Sequence, residues 1–461
     1  MGGVGRAGSA AALLLSAFAC AIRVRGIESH FWLLGDQIRD WGIALRPLSE
    51  LPLVGPATHV GGYTIGPAYY WLMWAIRLVI GPWFDNLPHA GGIGQAIVQS
   101  GADALLLFAI WRRTGSVWIA MAAIVLIATG PYDLSLSALV WNPTMGQALA
   151  KIATALVLLG WPLWSLSGVA VVTAVAWSAV HAYTGAIFVA LGVFAAIVGG
   201  LLFRGEHGRA ARSAAVIAVV IALLQAPLVV YQLSNRTAAM GAVTGSVGRI
   251  LSGQASPDLA GSWTAFAAAF TFIQGAPFTV TPGFPWHQHG WLVWVLVGCA
   301  VIVTIKHRRD PALLAVTILP PALAVTGYAF FVGPAHEAYY YLSLMPAAVF
   351  TVLLGLTAMP SPNMARAAAV CLAVAALAIV PSRVRFASTF PVMPEYAALV
   401  DGSRRLVERG FPVRAIRTDF PLHHTADREF IYRILGGRID PSSALSALIT
   451  RDGQITYQKA E

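Results

Sequence analysis

The feature that most constrains this chain is its series of apolar runs that are long enough to cross a bilayer as helices. A membrane-spanning helix needs about 20 apolar residues. Of the 461 residues, 57% are apolar and only 11% are charged, against roughly 25% charged in an ordinary soluble domain. A water-soluble globule cannot hide so much apolar surface, which excludes a soluble enzyme, a disordered chain and a fibre. The sequence predicts an all-α, polytopic membrane protein.

Basic residues set the predicted topology, because short loops rich in lysine and arginine stay in the cytoplasm. The net charge of +10 is dispersed in small clusters between apolar runs, and this pattern does not indicate a nucleic-acid partner. Four clusters are placed inside: Arg112-Arg113, 204–212, 306–309 and the loop around Arg366. About eleven spans follow, at 7–24, 92–111, 115–131, 143–162, 165–181, 184–203, 212–230, 290–305, 311–331, 339–358 and 364–381.

This topology leaves three large outer segments, at 25–91, 231–289 and from 382 onward. Residues 1–381 contain eleven acidic residues, and eight of them fall on the outer face. Since acidic residues contribute little to topology, this bias indicates extracytoplasmic polar chemistry. The composition is rich in alanine, glycine and arginine, which suggests a bacterial chain in the inner membrane.

The first outer segment is unusually rich in tryptophan and tyrosine. These side chains favour the headgroup layer of a membrane, so the segment is predicted to contain helices that lie in the interface. The stretch 67–80 is alternatively a true span, but that would reverse every later loop and put Arg112-Arg113 outside. The run 261–280 is a further candidate for a re-entrant or interfacial piece.

Two domains are predicted. Residues 1–381 form a transmembrane domain with outer loops 25–91 and 231–289, and residues 382–461 form a small extracytoplasmic α/β domain. The tail from Arg383 holds 12 of the 30 lysines and arginines and 9 of the 20 acidic residues. Its pattern predicts a helix at 395–409, a strand at 413–418, a helix at 426–435 and a hairpin at 447–457 around Asp452-Gly453.

A pair of acidic residues follows the first span. Asp36 and Asp40 are four residues apart, so they share a face if the stretch is helical. A carboxylate at the membrane edge can act as a general base toward a hydroxyl group or hold a divalent cation. The alternative is a helix cap at Asp36 and an ordinary surface residue at Asp40.

A glycine-rich stretch lies further along the same segment. It reads Gly61-Gly62-Tyr63-Thr64-Ile65-Gly66-Pro67-Ala68-Tyr69-Tyr70. The glycines permit a tight backbone, and the aromatic rings suit sugar faces or the membrane interface. A turn that leads into an interfacial helix explains the composition equally well.

These segments, taken in order, resemble a known family. Gly35-Asp36-Gln37-x-Arg39-Asp40, Leu53-x-Gly55-Pro56 and Gly61-Gly62-x-x-x-Gly66-Pro67-x-Tyr69-Tyr70 resemble the first outer loop of bacterial polyprenyl-phosphate-sugar glycosyltransferases. These are GT-C fold relatives of the protein O-mannosyltransferases and include the transferases that add aminoarabinose or galacturonic acid to lipid A. Tyr132-Asp133 with Trp141-Asn142-Pro143, and the segment 336–346, resemble later parts of the family pattern.

The resemblance covers about residues 7–381 and implies a specific reaction. Asp36 would be the catalytic base that accepts the proton of an acceptor hydroxyl as its oxygen attacks the anomeric carbon with inversion. Asp133 would be a second acidic site residue that orients the sugar or shares a divalent cation, Mg²⁺ or Mn²⁺, with Asp36. The donor would be a polyprenyl-phosphate sugar, and the acceptor a lipid, lipid A, a cell-wall glycan or a protein. The family precedent implies a monomer.

Further residues on the outer face are candidates for substrate binding. A phosphate leaving group needs positive charge, and aromatic, amide and imidazole groups suit a sugar. The candidates are Arg39, Asp40, His59, Tyr63, Trp141, Asn142, His181, Arg236, His336, Tyr339 and Tyr340.

Two charges fall inside predicted spans. Asp103 and Lys151 differ in predicted depth by roughly 6 Å, given 1.5 Å per helical residue and a core of about 30 Å. Unpaired charges at such depths are costly, so an ion pair that locks two helices is predicted. The alternative is that Lys151 extends toward the lipid phosphates.

Other functions are compatible with such a membrane protein. One is a transporter or flippase for a lipid-linked sugar, which predicts functional charge near the midplane rather than at one surface. Another is a polysaccharide polymerase or ligase that uses a pyrophosphate-linked oligosaccharide. A third is an inactive scaffold whose tail binds a partner, and the retained Asp36 motif disfavours it.

Overall fold

Apolar helices make up most of the chain, as predicted. The computed structural model describes residues 6–57, 65–160, 165–235, 248–254, 256–271, 291–331, 337–388, 393–410, 412–421 and 427–459. The helices are α1 (Arg6–Val24), α2 (Ile27–His30), α3 (Gly35–Ala44), α4 (Ala68–Ile80), α5 (Pro88–Thr114), α6 (Val117–Ala128), α7 (Pro131–Leu136), α8 (Asn142–Leu158), α9 (Leu166–Ala182), α10 (Ile187–Phe203), α11 (His207–Asn235), α12 (Leu259–Thr271), α13 (Trp291–Lys306), α14 (Pro311–Thr317), α15 (Leu319–Phe331), α16 (Met345–Leu356), α17 (Pro362–Ala387), α18 (Pro394–Arg409) and α19 (Glu429–Ile434). Short 3-10 helices cover Leu48–Glu50, Gly81–Phe84, Thr184–Ala186 and Ala338–Leu344.

Each of the eleven predicted spans overlaps one of these helices or a pair of them. Within the described ranges, five helices are long and apolar enough to cross a membrane alone, and α14 with α15, bent by 42°, would add a sixth. The other predicted spans fall on shorter helices, such as α6 with 12 residues. The protein is thus mostly helical and passes through the membrane several times. The predicted number of eleven membrane spans stays a prediction.

Helix ends follow the local sequence. Pro88 begins α5 at a position where its missing N–H costs no hydrogen bond. Gly115 ends α5 at φ 69°, in the left-handed region that glycine enters readily. The Ser116 hydroxyl then caps α6 by accepting the N–H of Ile119 at 3.3 Å. Together these residues make the tight turn between α5 and α6.

Helix α5 supports the outer elements and packs against α1, α4, α6 and α8. A β-carbon at Gly91 would lie 2.5 Å from the Trp41 ring. Since no side chain fits in that gap, the glycine lets Trp41 of α3 lie directly on α5. Trp41 is completely buried there, so its contact with Gly91 fixes where α3 lies.

The first outer segment contains helices, as predicted. α4 has 13 residues, which is about 20 Å at the rise of an α-helix and is shorter than a bilayer core of about 30 Å. Its length favours the prediction of an interfacial helix over the alternative of a true span.

The tail contains the predicted helices, strand and hairpin. Strand β1 (Ile416–Thr418) pairs in parallel with β2 (Leu445–Ile449), and β2 pairs in antiparallel with β3 (Ile455–Lys459). The turn between β2 and β3 includes Gly453 at φ 74°, which agrees with the hairpin predicted at that glycine. That residues 382–461 form a separate domain stays a prediction.

The tail is fastened to the first outer segment. Tyr396 of α18 is fully buried, lies 4.9 Å from Phe31 between ring centroids, and forms a 2.9 Å hydrogen bond with Nδ1 of His89. The backbone N–H of Met393 donates to the Ser29 carbonyl at 2.8 Å. Burial of a large aromatic ring in this contact holds the tail against the loop that carries Asp36.

Candidate active site

A chain of hydrogen bonds runs along α3 from an exposed carboxylate to a buried one. Arg39 Nη1 donates to Asp36 Oδ1 at 2.9 Å, and Arg39 Nε donates to Asp40 Oδ1 at 2.8 Å. The Tyr70 hydroxyl donates to the same Asp40 oxygen at 3.1 Å. The Asp36 side chain is 51% exposed, whereas that of Asp40 is completely buried. Arg39 therefore links a solvent-facing acid to an internal one.

Burial controls the electrostatics of Asp40. Removal from water raises the pKa of this carboxyl to about 6, although Arg39 and Tyr70 favour its charged form. Asp40 Oδ2 and the Tyr69 hydroxyl have no hydrogen-bond partner among the described residues. At neutral pH Asp40 is mostly ionised, and its charge holds the Arg39 guanidinium in place.

The residue after Asp36 ties α3 to the short segment between α7 and α8. Gln37 is buried, and its Nε2 donates to the Val140 carbonyl at 3.1 Å. Its Oε1 accepts the N–H of Leu34 at 3.0 Å, which caps the start of α3. Both ends of this amide are thus used to orient the helix turn that carries Asp36.

The aromatic and amide candidates lie together beyond this contact. Gln95 holds the backbone of Trp141 with two 3.2 Å hydrogen bonds, and Asn142 Nδ2 donates to the Ala182 carbonyl at 2.9 Å. The Trp141 ring lies 5.3 Å from that of Tyr339, which lies 4.8 Å from that of Tyr340. Val140, which precedes Trp141, accepts the hydrogen bond from Gln37 of α3. The structure therefore brings the backbone beside Trp141 to the helix that carries Asp36, and Tyr339 packs on Trp141.

His181 is buried rather than open to a substrate. Its Nε2 lies 2.8 Å from Gln225 Oε1, and its ring packs on the backbone of the first outer segment. A β-carbon at Gly66 would lie 2.3 Å from His181 Cε1, which explains the glycine in the Gly66-Pro67 motif. A substrate contact for His181 stays a prediction that this packing does not support.

Replacing Gly66 with alanine is expected to destabilise the protein by about 1–3 kcal/mol, the usual cost of overpacking a dense contact. The added methyl group would force the His181 ring or the outer segment to move. Thermal unfolding of the detergent-solubilised protein measures the effect. Gly199→Ala is the matched control, because a β-carbon there meets nothing within 4 Å. Equal unfolding temperatures for the two variants would contradict the proposed contact.

Asp133 lies in a buried network of four charges. Asp103 accepts from Arg23 at 2.6 Å and from Lys151 at 2.7 Å. Asp133 bonds to the same two cations through its two oxygens, and Gln99 Nε2 donates to it at 2.9 Å. All four charged side chains are at most 3% exposed. The predicted pair of Asp103 and Lys151 is confirmed, and Lys151 does not extend toward lipid phosphates.

This network occupies the Asp133 carboxylate that was predicted to bind a divalent cation. Both oxygens of Asp133 are engaged by Arg23 and Lys151, so the residue does not fit a cation shared with Asp36. In the described part of the chain, no group of three or more His, Cys, Asp or Glu side chains could hold a metal ion. A role for Mg²⁺ or Mn²⁺ stays a prediction.

Four candidates fall outside the described ranges, namely His59, Tyr63, Arg236 and His336. Other residues gain a role that the sequence did not suggest. Gln37 and Tyr70 lie within the two motifs of the first outer segment, and a polar side chain in those motifs could have indicated a role at the site. Gln95 and Arg23 had no comparable signal, since each lies in or beside a long apolar run.

The fold of this chain is the GT-C fold that the sequence resemblance predicts, since solved structures of that fold match almost all of the chain. Two solved structures of ArnT from Cupriavidus metallidurans share it. The form bound to undecaprenyl phosphate is 14% identical, with 95% of this chain and 92% of that chain covered and a TM-score of 0.53. The apo form is 13% identical, with 96% and 93% covered and a TM-score of 0.51.

A second protein with this fold is the archaeal oligosaccharyltransferase AglB from Archaeoglobus fulgidus, solved with an inhibitory peptide and a dolichol-phosphate. It is 14% identical with a TM-score of 0.50, and the match covers 91% of this chain and 63% of that one. The sequence matches no family model and no curated protein. These likenesses establish the fold of the chain.

Proposed function

We propose that this protein is an inverting glycosyltransferase that moves a sugar from a polyprenyl-phosphate donor to a hydroxyl acceptor. The observation that carries the proposal is the half-exposed Asp36, held by Arg39 and Asp40 on an outer helix of a GT-C fold. That a similar structure holds undecaprenyl phosphate and another holds dolichol-phosphate supports a lipid-linked donor.

Asp36 is the general base of the proposed reaction. Its Oδ1 is engaged by Arg39, and Oδ2 accepts the proton of the acceptor hydroxyl. The hydroxyl oxygen then bonds to the anomeric carbon as the bond from that carbon to the phosphate oxygen breaks. The electron pair leaves with the polyprenyl phosphate, so a single displacement inverts the anomeric centre.

Arg39 positions the base and supplies positive charge. Its side chain is 40% exposed, so part of the guanidinium is open to a phosphate leaving group. Asp40 keeps this group oriented from the buried side, which limits the reorganisation needed when negative charge develops. Trp141 and Tyr339 offer aromatic faces to the sugar.

The proposed enzyme acts at the outer face of the membrane. About eleven spans place α3, α4 and the tail on the outer face of the bacterial inner membrane. Polyprenyl-linked sugars are the donors suited to that side, where nucleotide sugars are absent. The acceptor belongs to the cell envelope as a lipid, lipid A, a glycan or a protein, and the enzyme acts as a monomer.

The buried network of four charges is the observation that would favour a transporter, since intramembrane charges often mark a transport path. Its two cations and two anions are mutually paired and buried. A network closed in this way leaves no free charge for a cargo, so a transferase is preferred.

The activity is expected to fall as the pH is lowered through about 6, the pKa of Asp40. Below that value Asp40 is neutral and loses its charge-assisted bond with Arg39, while above it the carboxylate is ionised and the bond is intact. A profile of kcat/KM against pH measures this. The Asp40→Asn variant should be less active and lack this acid limb. An unchanged limb in that variant would show that another group titrates.

The experiment that tests the function is comparative mass spectrometry of envelope lipids, glycans and glycoproteins. A deletion strain of the native host is compared with the same strain complemented by the wild-type gene. Loss of one sugar mass from a defined acceptor in the deletion strain, restored by the gene, is the expected result and identifies sugar and acceptor together. An accumulated lipid-linked sugar on the cytoplasmic side, with no direct loss of transfer in isolated membranes, would favour a flippase.

A further inference from the structure

A groove lies between the first and last long helices, away from the Asp36 site. It has a volume of about 310 Å³ and is lined by α1, α5, α6, α7 and α17, with the partly exposed apolar residues Phe18 and Leu377 at its sides. The lining is almost entirely apolar, and the one charged group in it, Asp103, is paired with Arg23 and Lys151. The groove therefore suits a hydrocarbon chain.

A second cavity continues the groove at one end. It has a volume of about 170 Å³ and shares Ile22 and Leu134 with the apolar groove. Its lining includes Arg25 and His30 at the end of α1 and in α2. The combined space is thus apolar along its length and basic at the end where α1 and α17 finish, which is the outer end in the proposed topology.

Two arginines at the end of α1 line the basic end, and a similar sequence lies near the end of α17, where only its valine lines the cavity. Arg23-Val24-Arg25 ends α1, and Arg383-Val384-Arg385 lies near the end of α17. In each, the first arginine is buried and the last is exposed. Arg23 is paired with Asp103 and Asp133 in the four-charge network. In contrast, neither Arg25 nor Arg385 forms an ion pair with any residue in the described ranges.

His30 holds the two sides of this end together. Its Nδ1 lies 2.9 Å from the Gly26 carbonyl and its Nε2 lies 3.1 Å from the Ser388 carbonyl. This bridge fixes the spacing between α2 and the end of α17. Glu28 is the nearest acidic residue in sequence, and no ion pair joins it to Arg25 in the part of the chain that the structure describes.

We propose that this space is a binding site for an anionic glycerophospholipid, with one acyl chain in the apolar groove and the phosphate at Arg25. Basic residues at a membrane surface attract anionic headgroups, and the apolar volume is within the range of ligand pockets. No residue of α3 lines either cavity, so the site is separate from the one proposed for the sugar donor.

The bound lipid has a structural consequence for the proposed active site. Ala138 and Leu139 line the basic cavity, and the next residue, Val140, accepts the hydrogen bond from Gln37 beside Asp36. A lipid headgroup in the cavity therefore contacts the loop that orients the Asp36 helix turn.

Lipid retention by the purified full-length protein tests this site independently of any transfer activity. The protein is exchanged into nanodiscs that contain phosphatidylglycerol and phosphatidylcholine in equal amounts, re-extracted in mild detergent, and examined by native mass spectrometry. We expect selective retention of phosphatidylglycerol. Arg25→Gln should lower that retention about fivefold, the effect of one cation near an anionic headgroup.

The controls separate the site from general surface charge. Arg46→Gln removes an exposed cation from the same outer segment but not from the groove, and should retain the lipid. Ala19→Phe fills the apolar groove and should lose it while Arg25 is intact. Equal retention of both phospholipids by the wild type, or wild-type retention by Arg25→Gln or by Ala19→Phe, would overturn the proposal. Added undecaprenyl phosphate that displaces phosphatidylglycerol completely would also overturn it, by assigning the groove to a prenyl lipid.

Discussion

Replacing Asp36 with asparagine is expected to lower the rate of sugar transfer by about 10²- to 10⁴-fold, the usual contribution of a general base. The amide keeps the size of the carboxylate but cannot accept the acceptor's proton. Because the side chain is 51% exposed, its neutralisation should leave the unfolding temperature almost unchanged. Transfer rates of purified variants, with the donor and acceptor identified by mass spectrometry, measure the effect.

Two further variants make this test specific. Asp36→Glu retains a carboxylate and should recover part of the rate. Glu50→Gln removes another acidic group from the same outer segment, in the 3-10 helix Leu48–Glu50, and should behave as wild type. If Asp36→Asn transfers sugar at the wild-type rate, Asp36 is not the base and the mechanism proposed above is wrong.

The second large effect concerns stability. Asp103→Asn, Asp133→Asn and Lys151→Met are each expected to destabilise the protein by about 3–5 kcal/mol, because each leaves an uncompensated charge in a buried network. The double variant Asp103→Asn/Lys151→Met removes one charge of each sign and leaves Arg23 paired with Asp133. It should therefore recover part of the loss. Thermal unfolding in detergent compares the single and double variants.

An exposed ion pair provides the matched control for the network. Arg404 donates to Asp85 at 2.9 Å, with the two side chains 43% and 56% exposed. Solvent screening makes such a pair worth less than about 1 kcal/mol, so Arg404→Gln should barely change the unfolding temperature. Loss of transfer in Asp133→Asn at an unchanged unfolding temperature would instead support Asp133 as an active-site residue, as the family resemblance implies.

The sequence predicted contacts that depend on regular helix geometry better than other contacts between segments that are far apart in the chain. The spacing of Asp36 and Asp40 predicts that they share a helix face, and the structure joins their side chains through Arg39. The depth of two charges in their spans was enough to predict the Asp103–Lys151 pair. In both cases a regular helix converts sequence number directly into position.

Other contacts depend on how helices are rotated and which segments meet, and these relations leave no periodic signal. Tyr70 reaches Asp40 across 30 residues, and Arg23 reaches Asp133 across 110. The resemblance suggested Asp133 as a site residue because it identifies a position in a motif, not the neighbours of that side chain. Gly66 was recognised as a tight position, but its partner His181 lies in another helix.

The contact between the first outer segment and the tail has a consequence for biogenesis. His30 meets the Ser388 carbonyl across 358 residues, and Met393 bonds to Ser29. At a translation rate of about 5–20 residues per second, the first outer segment leaves the ribosome roughly 20–70 s before the tail that holds it. In the proposed topology Asp36 is already outside during that interval, but its segment still lacks the contact of Tyr396 with Phe31. The proposed active site should therefore be completed only after α18 has been synthesised, and a chain terminated before that helix is expected to insert into the membrane without the proposed activity.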